Sequence, residues 1–447
     1  MNYADCLEYL DGLGQEIHGL RWGLETTTRI LSLLGNPHLK YPTVIVAGTN
    51  GKGSTAAMLA SILHQSGYRA GLYTSPHLVK VNERIRVNGA EISDDDFARA
   101  FTEVRQVAED LLRERALEQL PSFFEFLTAT GFLYFARAEA DFAVLEVGMG
   151  GRLDATNVAQ PCLSIITNIG LDHMEYLGSS LVAIAREKAG VIKPGIPVVC
   201  GCKPGEAAEV IRERCAELGA PLLETRELGW LSGVQCLHGH YLFSLALQAD
   251  CFASLSSCLR GRFQVENAVA AVAAAWRLGQ GGFNIPRSAI VKGLQSTSWP
   301  GRLEKILEQP LVLLDGAHNP AAARALAEFI QEELKGRRLR LVYASMRDKA
   351  MGEITEILFP LAEEVYVTRP SVARAASAEE ILAAGRFHPR RLVIEPEPSL
   401  AVSRACQASA DQDVVMVVGS LFLVGAVKKA LLEGQLRLAD NSQRGLA

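Results

Sequence analysis

The sequence predicts an α/β protein in two parts: a P-loop-type, mostly parallel sheet with a small antiparallel insertion over residues 1–296, and a smaller Rossmann-like α/β domain over 297–447. Three observations carry this reading. The stretch Val44 to Leu63, VIVAGTNGKGSTAAMLASIL, runs from a β-branched strand through a glycine-rich turn into a helix rich in Ala, Leu and Met. Apolar strands then alternate with helical segments along most of the chain. A break at about 296–301, Ser-Thr-Ser-Trp-Pro-Gly, is followed by a second run of strands and helices.

Composition sets the bounds. The chain has 447 residues, enough for two or three domains. With 49% hydrophobic and 21% charged residues it has the profile of a globular protein with large cores. A net charge of −5 supports neither nucleic acid nor membrane as the main partner. Nine scattered cysteines read as reduced thiols of a cytoplasmic enzyme. The acidic start MNYADCLEYLDGL does not read as a signal peptide, and Val414 to Val427 is too short to span a bilayer.

In chain order, Asp5 to Leu13 and Thr26 to Leu34 read as helices leading into the strand at 43–46. In the turn Gly48-Thr49-Asn50-Gly51-Lys52-Gly53, glycines let backbone N–H groups converge on an anion, and Lys52 adds a point charge. Ser54 or Thr55 can help hold Mg2+. Val46 and Gly53 depart from the usual G-x-x-x-x-G-K-[ST] spacing, and an ordinary glycine turn is the alternative. Tyr68 to Thr74 is a strand stopped by Pro76, which leaves Ser75 at a strand end, as a ligand or a plain turn serine.

Arg84 to Gly89 reads as a short exposed strand and turn, and Asp94 to Arg115 as an amphipathic helix. Ser122-Phe-Phe-Glu125 opens a long apolar helix; Glu125 is either buried and paired or a first-turn acid suited to the helix dipole. Glu146 closes the apolar strand 141–147 as a metal ligand or a structural ion pair. His173 follows the strand 163–167. Ser180 to Gly190 reads as a helix stopped by Gly190 at C′, and by spacing alone Lys188 is a dipole-favoured cation. Ile196 to Cys200 is a strand, Glu206 to Leu218 a helix, and residues 221–257 an antiparallel insertion. Cys236, His238 and His240 there read as a hairpin face rather than a metal set. Gln264 to Leu278 is a buried helix with Asn267 near its start.

Beyond the break, strands read at 311–315, 339–344, 363–368, 392–395 and 413–418. The first ends in Asp315-Gly-Ala-His318-Asn-Pro, an acid and an imidazole placed to complete a site made by the first domain. No G-x-G-x-x-G follows it, so a dinucleotide site is not expected.

Taken together, GTNGKGS, TSPHL, FFE, EVGMGGRLDATN, LDH, REKAG, GR-Q-EN, PGRLE, DGAHNP and GSLFLVGAV occur in this order over nearly the whole chain. The set resembles folylpolyglutamate synthase and dihydrofolate synthase of the Mur ligase superfamily. The resemblance implies an ATP-binding domain over 1–296 and a glutamate-ligase domain over 297–447. It implies an ATP-dependent amide ligase working through an acyl phosphate, a monomer acting on L-glutamate, dihydropteroate and reduced folates. By the same resemblance, Thr49, Asn50, Gly51, Lys52, Gly53, Ser54, Asn267, Arg302 and Asp315 bind ATP. Ser75, Glu146 and His173 are ligands at two Mg2+ sites, joined by Lys188 as a carbamylated lysine. Lys52, Lys188 and His318 are the residues implied in catalysis. Arg21, Trp22, Gly23, Leu24, Ser122, Leu153, Asp154 and Ala155 match pterin-substrate contacts, and GGRLDATN leans towards both synthase activities. A monofunctional folylpolyglutamate synthase, a Mur ligase acting on a cell-wall nucleotide and a P-loop module without ligase chemistry are the alternatives.

Overall fold

The eight-stranded sheet of the first unit has β1 (Thr43–Ala47) near its middle, buried at every residue. The structure, a computed structural model, describes residues 1–14, 23–226, 231–248, 250–387 and 389–438. The remaining strands of this unit are β2 (Ala70–Tyr73), β3 (Ile85–Val87), β4 (Ala90–Glu91), β5 (Phe142–Glu146), β6 (Pro161–Ile166), β7 (Val198–Cys200) and β8 (Leu222–Glu224). A three-stranded antiparallel sheet adds β9 (Ser232–Leu237), β10 (His240–Leu247) and β11 (Asp250–Ser257). The helices are α1 (Tyr3–Gly12), α2 (Glu25–Leu33), α3 (Lys52–Gln65), α4 (Asp94–Arg113), α5 (Phe123–Arg137), α6 (Met174–Leu177), α7 (Leu181–Ala189), α8 (Glu206–Glu217), α9 (Phe263–Gln280) and α10 (Arg287–Ser296).

Sheet order is β4-β3-β2-β5-β1-β6-β7-β8, parallel from β2 to β8. The chain leaves β1 for β2 on one side, returns through β5 and crosses to β6 on the other. That reversal makes the carboxyl end of β1 a topological switch point, where parallel sheets bind ligands. Register puts Glu146 opposite Val46, so the end of β5 lies beside the end of β1. One apolar cluster joins Phe97 and Phe101 of α4 to Phe126, Phe132 and Phe135 of α5 and to Ile45 and Leu145 of the sheet.

The second unit takes His77–Lys80, Leu259–Phe263 and Ser298–Ala447; the first takes Met1–Pro76, Val81–Cys258 and Gln264–Thr297. The second unit holds β12 (Glu304–Leu307), β13 (Leu311–Leu314), β14 (Leu339–Tyr343), β15 (Glu364–Val367), β16 (Leu392–Ile394) and β17 (Val414–Val418) in the order β12-β13-β17-β14-β15-β16. Only β12 runs antiparallel. Helices α11 (Pro320–Glu333), α12 (Met351–Leu358), α13 (Ala378–Ala384), α14 (Pro398–Gln407) and α15 (Leu421–Leu432) complete it, with an apolar cluster on each sheet face.

Four sequence expectations change. Of the 84–89 stretch only the turn at Asn88 and Gly89 is exposed: Ile85 and Val87 are buried between β2 and β4, and Arg84 is buried with its guanidinium over the Phe123 ring at 5.2 Å. Residues 222–224 are not part of the insertion, because β8 pairs in parallel with β7. The edge strand β12 was not expected; its exposed and half-buried residues carry too few apolar side chains for a strand signal. Gly190 is a C-cap in right-handed helical conformation, φ −62° and ψ −13°, not a left-handed C′ glycine. Its lack of a side chain has another cause, described below. All nine cysteines are free, and among the described residues no helix is long and apolar enough to cross a membrane.

Candidate functional site

Gly51, at φ 81°, turns the chain from β1 into α3, whose first N–H groups have no partner within the helix. The turn Gly48 to Lys52 is braced by the segment after β6. Thr49 N–H donates to Asn168 O at 2.9 Å, and its hydroxyl meets both the N–H and the carbonyl of Gly170, at 2.9 and 3.1 Å. Asn50 N–H donates to Asn168 Oδ1 at 2.9 Å, and Asn50 O accepts from Asn168 Nδ2 at 2.9 Å and Thr167 Oγ1 at 2.7 Å. Lys52 Nζ folds back on Thr49 O at 3.2 Å. Ser54 and Thr55 are buried in the first turn of α3, and Thr55 Oγ1 has no hydrogen-bond partner. Asn267, in α9, stands against the same turn: a Cβ on Gly51 would lie 2.1 Å from Asn267 Oδ1. A side chain at position 51 would fill this cradle.

Lys188 is the least expected member. It is 5% exposed, and its Nζ donates to Gly48 O at 2.8 Å. Burial pulls its pKa down from 10.5 to about 7, Lys52 adds to the fall, and Asp172, Asp154 and Cys202 oppose it. The dipole-favoured surface cation is therefore replaced by a desolvated amine pointing at the Gly48–Lys52 turn. The end of α7 is held by the loop after β5. Arg152 N–H donates to Glu187 O at 2.9 Å, and Asn157 Nδ2 donates to Arg152 O at 2.9 Å and Gly190 O at 3.1 Å. The Arg152 guanidinium pairs with the Glu187 carboxylate at 2.9 Å. A Cβ on Gly190 would lie 2.4 Å from Arg152 Cα. Close approach, not chain reversal, is what requires glycine there.

The ends of β2 and β5 meet: Ser75 N–H donates to Glu146 Oε2 at 3.1 Å. His173 caps α6 at φ 50°, its N–H donates to Asp172 Oδ1 at 2.9 Å, and its Nε2 is 3.9 Å from Asp172 Oδ2. Asp172 is a neighbour that sequence reasoning did not assign; the LDH triplet was its only signal. Among the described residues no group of three or more His, Cys, Asp or Glu side chains stands ready as a metal cage. Mg2+ does not need one, since it keeps waters and substrate phosphates around one or two carboxylates. The Ser75 hydroxyl and the Glu146 carboxylate, at adjacent strand ends beside a phosphate loop, are donors of that kind.

Among the expected substrate contacts, Arg21 and Trp22 lie outside the described residues. Gly23 and Leu24 are half-buried ahead of α2. Ser122 caps α5: its Oγ accepts from Glu125 N–H at 3.3 Å, and Glu125 Oε2 accepts from Ser122 N–H at 2.8 Å. Thr27 Oγ1 reaches Glu125 Oε1 at 3.4 Å, so Glu125 is both a first-turn acid and a buried paired one. Asp154 is buried and anchors its own loop, Oδ2 accepting from Met149 N–H at 3.0 Å and Oδ1 from Thr156 N–H at 3.0 Å and Thr156 Oγ1 at 2.6 Å. Burial raises its pKa against these bonds. Ala155 is buried beside it and Leu153 half-buried.

In the second unit, Asp315 closes β13. Its Oδ1 accepts from Ala317 N–H at 2.8 Å and its Oδ2 from Leu303 N–H at 2.9 Å. Burial raises its pKa, and Arg302 opposes the rise. Arg302 Nη1 donates to Gly301 O at 3.0 Å. His318 Nδ1 lies 2.7 Å from Gly316 O; a carbonyl only accepts, so Nδ1 carries the proton and Nε2 is the acceptor of the neutral ring.

Residues 46–275 match the Mur ligase middle domain, and residues 301–421 match the Mur ligase glutamate ligase domain. A Bacillus subtilis dihydrofolate synthase/folylpolyglutamate synthase is 34% identical over 96% of this chain and 99% of its own. A Mycobacterium tuberculosis folylpolyglutamate synthase complexed with ADP superimposes with a TM-score of 0.88 at 31% identity, covering 95% of this chain and 98% of that one. Escherichia coli FolC in complex with DHPP and ADP gives 0.85 at 30% identity, covering 97% and 99%.

Proposed function

We infer the function from one premise: the chain belongs to the Mur ligase family, in its dihydrofolate synthase/folylpolyglutamate synthase group. It is an ATP-dependent ligase that joins glutamate to folate substrates. Our reading is that it does so on both dihydropteroate and the γ-carboxyl of folate tails, as a cytoplasmic monomer with no nucleic-acid or membrane partner. The observation that carries the ligase reading is the buried amine of Lys188 on the carbonyl of Gly48, both within the stretch that matches the Mur ligase middle domain.

In this mechanism residues 1–296 bind ATP and residues 297–447 serve glutamate ligation. The substrate carboxylate attacks the γ-phosphorus of ATP, the bond to ADP breaks, and an acyl phosphate forms. The glutamate amine then attacks the acyl carbon, loses a proton, and phosphate leaves. Phosphorylation is needed because a carboxylate is a poor electrophile. Thr49 to Ser54 cradle the phosphates, and Lys52 screens the two approaching anions. Asn267, Arg302 and Asp315 hold the nucleotide, and His318 accepts or passes a proton through Nε2. Gly23, Leu24, Ser122 and Leu153 to Ala155 shape the pterin end; Asp154 and Ser122 do so through the backbone they fix.

Ser75, Glu146 and His173 would hold Mg2+ at two sites, with Lys188 as its carbamate. Bound Mg2+ supplies charge neutralisation on the transferred phosphate. Lys188 suits carbamylation because near pH 7 a large share of it is the neutral amine that attacks CO2, with release of a proton.

The test incubates the protein with ATP, glutamate and, in separate reactions, dihydropteroate, a reduced folate or a UDP-muramoyl acid. ADP formation that needs glutamate and either pteridine supports both activities. Formation with the reduced folate alone leaves a monofunctional folylpolyglutamate synthase, and formation with the UDP-muramoyl acid alone rejects the reading. Lys188→Ala should lose most activity and regain part of it with added short carboxylates.

A further inference from the structure

One buried group near the phosphate loop has no use in the mechanism above. Gln264 is 1% exposed at the second position of α9, a helix of 18 residues. Its Oε1 accepts from Asn267 Nδ2 at 2.8 Å. That bond turns the Asn267 Oδ1 towards Gly51, where it stands in the space a Cβ would need. The same bond fixes the plane of the Gln264 carboxamide. Its Nε2, the other arm of the same planar group, is buried without a hydrogen-bond partner. A buried amide donor left unpaired is destabilising, because it has lost its water and gained no acceptor. The two amides make a row from the phosphate loop to the first turn of α9, whose leading N–H groups already favour an anionic ligand.

We propose that Gln264 is a nucleotide-binding residue: Asn267 holds its carboxamide in place, and its Nε2 donates to the bound nucleotide. The proposal rests on the nucleotide reading above and adds a contact to it. It explains why a glutamine, not an apolar residue, occupies a fully buried position. In the free protein the donor is a liability; in the complex it is satisfied. Removing it takes away one unpaired donor and one hydrogen bond and leaves Asn267 Nδ2 as the unpaired donor instead, so the free fold changes by little more than that one bond, while ligand affinity falls.

The experiment measures ADP binding by titration calorimetry, and thermal unfolding without ligand, on the full chain and on Gln264→Met. The expected result is a Kd for ADP raised about tenfold, with the ligand-free Tm within about 2 °C of wild type. A Kd within twofold of wild type overturns the proposal, whatever the Tm. If Gln264→Met does not fold, Gln264→Asn keeps a carboxamide but withdraws it by one methylene, and the same Kd criterion applies. Wild-type protein that fails to bind ADP overturns the nucleotide reading and this proposal with it. Binding by wild type with unchanged binding by the variants removes Gln264 alone.

Discussion

Gly190→Ala separates two explanations of one glycine by the sign of its effect. If Gly190 only ends a helix, alanine should be harmless or better: at φ −62° it fits without strain, and restricting the unfolded chain adds about 0.4–1 kcal/mol of stability. The structure requires the opposite. The new Cβ would lie 2.3 Å from Arg152 Cβ, 2.4 Å from its Cα and 2.8 Å from its N, where carbon contacts settle at about 3.5–4.0 Å. Relief needs the two backbones to part by about 1 Å. They are tied by Arg152 N–H to Glu187 O and by the two Asn157 Nδ2 bonds to Arg152 O and Gly190 O. Two such bonds lost at about 1 kcal/mol each, plus about 1–3 kcal/mol of overpacking, less the alanine gain, leave a net loss of about 2–4 kcal/mol. Thermal unfolding should fall by roughly 5–10 °C. The matched control is Gly279→Ala in α9, where nothing lies within 4 Å of the added Cβ, and its Tm should hold or rise. Because Lys188 is two residues away, ADP formation should fall with stability. A Gly190→Ala protein that melts at or above wild type would refute the close-contact argument.

Three further outcomes follow from the same structure. Lys188→Met should lose activity yet raise Tm at pH 6.5. The folded pKa of about 7 lies below the usual 10.5, so between these values the unfolded chain binds the extra proton and lysine's stability contribution rises with pH; the variant's advantage in a melting series should shrink as pH climbs to 10. Glu146→Gln, which keeps an oxygen for the Ser75 N–H, should raise the Mg2+ concentration needed for half-maximal ADP formation by about tenfold or more. Arg340→Met should take the guanidinium, now 2.8 and 3.3 Å away, from the buried carboxylates of Asp413 and Glu364, leaving Arg338 on the first and the Tyr366 hydroxyl on the second, and destabilise the second unit by about 2–3 kcal/mol, read as a lower urea midpoint.

Strand–turn–helix at 43–63 was legible because it is local: β-branching, glycine and an alanine-rich helix each act within a few residues. The ends of β2, β5 and β6 were legible for the same reason, since a polar residue closing an apolar run needs no tertiary knowledge. The capping box at Ser122 and Glu125 is written in S-x-x-E spacing, and the neighbouring aromatics offered burial as one of two readings of Glu125; both hold at once. Lys188 shows the limit. Its place in the last turn of a helix is a local fact that points to solvent, while its partner, Gly48 O, is 140 residues away. Gly190 failed similarly, because a glycine needed for space and a glycine needed for φ look the same in a sequence. Gln264 was visible as a letter in GR-Q-EN, yet only burial with an unpaired Nε2 distinguishes it from a helix-cap residue.

The loop after β5 also changes what its motif means. GGRLDATN resembles a motif in which Leu153, Asp154 and Ala155 touch substrate. In the structure Asp154 is occupied by the N–H groups of Met149 and Thr156, and Arg152 by Glu187. Asn157 closes the arrangement on Gly190, so the motif and REKAG form one mechanical unit that sets where the Lys188 amine sits. Burying that amine is unfavourable by itself, and a rigid seat is what keeps it from turning out to solvent. Changes in the motif should therefore reach the chemistry through Lys188 before they reach any pterin contact.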